Sequence, residues 1–274
     1  MQVKQEKSQE EIIRDLQHQV DELTTNNLLL QDQLARKEQF IAMIAHELRG
    51  PLSPIINYAQ MIARHVCTPK SVSTNAAPQR NEALQRHTNI IISQARRLTR
   101  LVNDLLDSSR LTSGQFTLMR EKCDIVPLVN ETVEQLRPVA PYHTLVASVP
   151  DAPVVGNWDG GRLQQALGNL IDNAIKYSDE HTTITVHVST TQDNAHVSVH
   201  NMGTSIPSNE ISQLFRPYTR LEGANRRQGS GLGLFITKSI IEAHGGSLRL
   251  EPHSEETTGE GPRGTTFSFD LPLQ

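Results

Sequence analysis

Cysteine is nearly absent from this chain: 274 residues hold two, Cys67 and Cys123, far apart and without metal-site spacing. A disulfide scaffold and a thiolate metal centre are both excluded, and the two thiols fit a reducing, cytoplasmic setting. No apolar run approaches the ~20 residues needed to cross a bilayer. The polar opening Met1-Gln-Val-Lys-Gln-Glu-Lys7 is no signal peptide. Excess charge is lacking too. The net charge is −4, with nothing to draw nucleic acid in general. What is present, 36% hydrophobic and 20% charged residues, is the balance of a soluble protein, and the length allows about two domains.

The first positive signal is a heptad pattern. Alternate steps of three and four from Ile13 meet Leu16, Val20, Leu23, Asn27, Leu30, Leu34, Lys37, Ile41, Ile44 and Leu48. Nine of these eleven positions are apolar, which argues for a coiled coil or bundle. Asn27 falls at an a position, where a buried amide paired with its twin would fix register in a parallel dimer. In this register Ile41 is a, Ile44 is d and His46 is f, so His46 points away from the seam with Glu47 beside it. Pro51 lies five residues on and cannot donate to the carbonyl of Glu47; Gly50 loosens the same turn. The helix is expected over 8–64 with Pro51 as its only interior breaker.

A polar loop from Thr68 to Pro78 leads to a second helical pattern, from about Glu82 to Ser113. Its apolar stripe is Leu84, Ile91, Ala95, Leu98, Val102 and Leu105. A helical hairpin of this kind cannot bury its stripe alone, and two copies would make a four-helix bundle, hence a homodimer. After Gly114 short strands and helices alternate. Strands are expected at 116–121, 143–149, 182–190, 195–200, 247–250 and 265–271. Helices are expected from Asp124 to about Leu136, from Asp159 to about Tyr177, and over 236–244. The fold class is therefore α + α/β: a helical hairpin forming a dimeric bundle, then an α/β sandwich.

Two segments of the second part carry chemistry. Asn169, Asn173 and Lys176 are spaced i, i+4, i+7 and share one helix face, while Leu167, Leu170, Ile171 and Ala174 lie opposite. Asparagine is a poor helix former, but its amide oxygen is a hard ligand for Mg²⁺, and a lysine one turn on can hold a phosphate. A plain solvated face is the alternative. The other segment is Gly229-Ser-Gly231-Leu232-Gly233-Leu234, running into a helix whose backbone N–H groups could bind phosphate. Its spacing is neither that of the P-loop nor that of the dinucleotide fingerprint. A flexible linker would not interleave Leu232 and Leu234 with the glycines. The polar stretch before it, Leu214 to Gln228 with Arg226 and Arg227, could serve as a lid or be a surface loop.

Together these motifs resemble a known family. His46-Glu-Leu-Arg-Gly-Pro-Leu resembles the phospho-acceptor box of HisKA-type sensor histidine kinases. Asn169 to Tyr177 is similar to their N box, Phe215 to Tyr218 to their F box, and Gly229 to Leu234 to a glycine box. Gly264-Thr-Thr266-Phe267 is similar to the last glycine box. The order is the family's, from about Phe40 to Pro272.

The resemblance implies an N-terminal coiled-coil signalling helix over 1–38, a dimerisation and histidine-phosphotransfer domain over 39–114, and a Bergerat-type ATP-binding domain over 115–274. ATP and Mg²⁺ are the implied cofactors, with the metal on Asn169. The implied nucleotide contacts are Asn173, Lys176, Tyr177, Asn201, Gly203, Arg226, Gly229, Gly231, Leu232, Gly233 and Thr266. His46 would take the γ-phosphoryl group, Glu47 would orient it and accept its proton, and the phosphate would pass to an aspartate of a separate response-regulator receiver domain.

Two departures stand out. The family's D-x-G-x-G box is Asn201-Met-Gly203-Thr-Ser205 here, so the residue that in the family accepts from the adenine amino group is replaced by an amide. The common Thr or Asn four residues after the histidine is Gly50. The altered base site motivates the alternative, a catalytically weakened nucleotide-binding dimer that signals by conformation.

Overall fold

A computed structural model describes residues 2–67, 77–203, 206–207, 210–217, 219, 231–251 and 264–273. The chain divides into two compact units, Met1–Ala95 and Arg96–Gln274.

The first unit holds helix α1 (Gln2–Cys67) and most of α2 (Ala77–Thr112). The two meet where the Tyr58 and His87 rings lie 5.1 Å apart. One expectation needs correcting. Pro51 is not the only interior proline, because Pro54 also lies inside α1. Together they leave the carbonyls of Glu47 and Gly50 without their usual donors four residues on. The heptad residues Leu16, Val20, Leu23, Leu30, Leu34 and Ile41 are all exposed in the single chain, Leu23 to 68%. That is an apolar seam with no cover of its own.

The second unit takes in the last turns of α2 and an α/β sandwich. Its five-stranded sheet has the order β2-β4-β5-β7-β6, from β2 (Thr144–Ser148), β4 (Thr183–Thr190), β5 (Asn194–Asn201), β6 (Ser247–Leu250) and β7 (Thr265–Pro272). β2 runs parallel to β4, and the other pairs are antiparallel. A small antiparallel pair joins β1 (Glu121–Asp124) to β3 (Val155–Trp158). The strand expected at 116–121 thus starts only at Glu121, where β3 supplies a partner, and β3 itself carried too short a pattern to be foreseen.

Helices α3 (Ile125–Leu136), α4 (Gly160–Tyr177) and α6 (Gly233–Ala243) form the second layer. A one-turn helix, α5 (Ile211–Leu214), precedes α6. Ile184, Val186 and Val188 of β4, Val197 and Val199 of β5, and Phe269 and Leu271 of β7 are buried beneath Leu163, Leu167, Leu170 and Ile171 of α4 and Ile236, Ile240 and Ile241 of α6. Each such buried side chain contributes roughly 1.5–3 kcal/mol.

Two polar devices fix where α4 and α6 begin and end. Asp159 caps α4 by accepting from Arg162 N–H, and its other oxygen accepts from Met119 N–H. The Asp159 N–H in turn donates to Nε2 of His244 at 2.9 Å, while His244 Nδ1 lies 2.8 Å from the Ile240 carbonyl. An imidazole that accepts at one nitrogen and donates at the other is neutral. Burial pushes its pKa below the usual histidine value, consistent with that role.

Candidate functional site

The periodicity of α4 sorts its residues as the sequence pattern requires. Leu163, Ala166, Leu167, Leu170, Ile171 and Ala174 are buried, and Asn169, Asn173 and Lys176 line a half-buried face. Tyr177 ends the helix and is 37% exposed. Lys176 is paired with Asp172 one turn earlier.

Asn169 meets the start of α6. Its Nδ2 donates to the carbonyl of Gly233 at 3.3 Å, and a side chain at Gly233 would lie 3.7 Å from the same amide. Gly231 has φ +68°, a left-handed turn that glycine adopts without steric cost. Leu232 next to it is fully buried, and its carbonyl accepts from Ile236 N–H to open the helix. The interleaved leucine therefore anchors a turn that presents the first N–H groups of α6 beside Asn169. Such a helix start favours anions.

The end of β5 forms the other wall. Asn201 follows Val197 and Val199 on the face towards the helices and is 3% exposed. Gly203 pairs with Ser178, just past the end of α4, and Asp179 N–H donates to the Met202 carbonyl at 2.8 Å. Gly264 N–H donates to the Gly203 carbonyl at 3.0 Å.

Not every expected residue joins this group. Thr266 lies on the opposite face of β7, where its hydroxyl is 2.8 Å from Nδ1 of His200. Thr265, buried and paired with Asn201 in the strand register, holds the inward position. Alternation with Phe267, Phe269 and Leu271 could have shown this phase from the sequence. Arg226 and Gly229, with Tyr218 and Ser205, lie outside the described residues.

Two contacts had no sequence signal, since their partners are distant in the chain. Arg162 and Gln165 of α4 both donate to Oδ2 of Asp107 near the end of α2, at 2.7 and 2.8 Å. Nearby Asp104 has its carboxyl pushed up to about 6, first by burial and then by Asp107.

In the first unit His46 is exposed on α1, while Glu47 next to it is buried. The side chain at the f position is thus open to solvent and its carboxylate neighbour is held in the protein.

A magnesium ion fits the Asn169 corner only in one way. With Nδ2 committed to Gly233, the amide presents its carbonyl oxygen as the remaining acceptor. Among the described residues there is no cluster of three or more His, Cys, Asp or Glu able to hold a metal. The ion would take most of its oxygen ligands from phosphate and water, as Mg²⁺ commonly does.

Comparison with known proteins matches both parts of the chain. Residues 36–114 match the His Kinase A (phospho-acceptor) domain, and residues 158–274 match the histidine kinase-, DNA gyrase B-, and HSP90-like ATPase. Sensor histidine kinase WalK of Bacillus subtilis (strain 168) is 30% identical over 243 residues, 87% of this chain and 37% of WalK. Full-length ShkA, solved in complex with AMPPNP, superposes with TM-score 0.56 at 24% identity, over 86% of this chain and 46% of ShkA. Histidine kinase ThkA, solved with response regulator protein TrrA, gives TM-score 0.55 at 21% identity, over 89% of this chain and 64% of that one. At these identities the structural likeness establishes the fold. The chain spans less than half the length of the curated relatives it matches.

Proposed function

Since the chain belongs to the histidine kinases that join a HisKA domain to a HATPase domain, we propose that it phosphorylates itself on His46 from ATP and passes the phosphate to a response regulator. The observation that carries this reading is the Asn169–Gly233 contact. It joins the polar face of α4 to the glycine-bounded start of α6, residues 64 apart in sequence. This corner pairs a hard oxygen with the N-terminus of a helix, the combination that suits a triphosphate with Mg²⁺.

Asn169 holds Mg²⁺, which when bound offsets charge on the phosphate oxygens. Asn173 and Lys176 position phosphate oxygens, with Tyr177 at the edge, and the N–H groups after Gly231 receive the chain's distal end. Asn201 and Gly203 bound the base. A neutral His46 ring nitrogen uses its lone pair to form the N–P bond to the γ-phosphorus as the bond to the ADP oxygen breaks. The proton left on the imidazolium passes to Glu47. The receiving aspartate then displaces the imidazole. Exposure of His46 on its helix supports a phosphate-accepting role for its ring.

The exposed seam from Leu16 to Ile41 supports a homodimer, in which a second copy covers those side chains and Asn27 pairs with its twin. No described helix is long and apolar enough to cross a membrane, and a cytoplasmic setting is part of the proposal.

One observation favours a second reading. Position 201 holds an uncharged amide where the family has a carboxylate, so the hydrogen bond it accepts is not charge-assisted. In that case the chain binds nucleotide and signals by shape without phosphorylating His46. Incubation with γ-labelled ATP and Mg²⁺ separates the two. Acid-labile, alkali-stable label on the protein supports the kinase, and intact ATP binding with no label supports the second reading.

A further inference from the structure

Asn201 occupies a corner built to hold something. Its side chain is 3% exposed, and its Nδ2 is buried with no hydrogen-bond partner. A second such atom lies at the same corner: the hydroxyl of Ser178, 5% exposed, is also buried and unpartnered. Ser178 is tied to this strand end by its bridge to Gly203.

The backbone around Asn201 is closely packed. A Cβ at Gly203 would sit 2.1 Å from the Tyr177 carbonyl oxygen, and one at Gly264 would sit 2.7 Å from the Asn201 carbonyl oxygen. β5 is therefore clamped by α4 on one side and by the start of β7 on the other. Buried amides left unpaired are costly, so a built corner with two orphaned polar groups fits one completed by a ligand.

The chemistry of the amide says which ligand. A carboxylate at this position only accepts hydrogen bonds, so among purines it selects the edge that bears a 6-amino donor. A carboxamide carries a donor and an acceptor side by side. One orientation matches a 6-amino group with the N1 acceptor, and the flipped orientation matches a 6-oxo group with the N1–H donor. The terminal torsion of asparagine is broad and roughly two-fold, so the flip needs no backbone movement.

We infer that Asn201 is the residue that sets base selectivity here, and that the site takes 6-oxopurine nucleoside triphosphates as well as ATP. This rests on the nucleotide-binding reading given above. The orphaned Nδ2 donates to N1 of a 6-aminopurine in one orientation and to the 6-oxo group in the flipped one, so neither base leaves it unpaired.

The test is competition of ATP and of inosine triphosphate against a fluorescent ATP analogue on the full chain with Mg²⁺. Inosine isolates the 6-position because it lacks guanine's 2-amino group. The expected result is a Kd for inosine triphosphate within about tenfold of that for ATP in the wild type. Asn201→Asp should raise the ratio of the two Kd values about a hundredfold, the usual scale for one lost polar match in a buried site. A wild type that binds ATP but takes inosine triphosphate more than about a hundredfold more weakly overturns the inference and leaves the kinase reading intact. Failure to bind either nucleotide overturns both. The wild-type ratio decides the matter even if Asn201→Asp does not fold.

Discussion

Arg162 Nη1 lies 2.7 Å from Oδ2 of Asp107, tying the first turn of α4 to the last turns of α2. The same oxygen accepts from Gln165, and the Arg162 guanidinium sits 4.9 Å over the Phe116 ring. Asp107 is 5% exposed, so these donors stand in for the water it lacks. Removing one member of a buried pair strands the other. Arg162→Ala is expected to destabilise the chain by about 2 kcal/mol, read as a lower urea midpoint. An unchanged midpoint would show that the contact adds no stability.

Asp104 responds to pH in a defined direction. Burial, Asp107 and Asp172 push its carboxyl up to about 6 from 3.8, against the pull of Arg100 and Lys176. The folded chain then holds this proton more tightly than the unfolded chain does. Stability contributed by this group therefore rises as pH falls from about 6 towards about 4. Asp104→Asn removes the buried charge and should stabilise the chain by about 2 kcal/mol at pH 7.5, with the gain fading near pH 4. Urea unfolding at the two pH values checks it, and an equal gain at both would reject the assignment.

Much of this site was legible because short-range patterns encode it. The i, i+4, i+7 spacing of Asn169, Asn173 and Lys176 sets one helix face whatever surrounds it, and Leu232 between glycines announces an anchored turn. Asp124 and Asp159 mark their helix starts, since capping is local. What stayed hidden depends on long-range pairing. Asp107 and Arg162 are 55 residues apart, and no periodicity links them. β3 has four residues and forms only because β1 pairs with it. Thr266 was misplaced by one residue, and one residue in a strand turns a side chain to the other face.

Gly50 lies one helical turn after His46 and is exposed, with no atom within 4 Å of where a Cβ would stand. The position has room for a side chain that could hold a water in line with a phosphoaspartate, but glycine supplies none. Losing a positioning contact of that kind costs about a hundredfold in rate. The wild type is expected to dephosphorylate its regulator slowly, and Gly50→Thr to gain the activity with autophosphorylation retained. Loss of phosphate from a purified phospho-regulator measures both. Rapid ADP-stimulated loss by the wild type contradicts the prediction.

The uncovered seam of α1 makes association a direct expectation. The chain should sediment at twice 30.5 kDa at micromolar concentration. Leu23→Asp and Leu30→Asp together should shift it towards monomer, because two charges would then enter the seam. A monomer in the wild type would remove the basis for the bundle.

In the proposed reaction His46 receives phosphate from a nucleotide held at Asn169. Its most direct test is to incubate the chain, His46→Gln and Asn169→Ala separately with γ-labelled ATP and Mg²⁺, and to measure acid-labile, alkali-stable protein label. Label is expected on the wild type, none on His46→Gln, and a loss of at least about a hundredfold in Asn169→Ala with its fold intact. Undiminished label on His46→Gln, or normal labelling of Asn169→Ala, would contradict the proposed reaction.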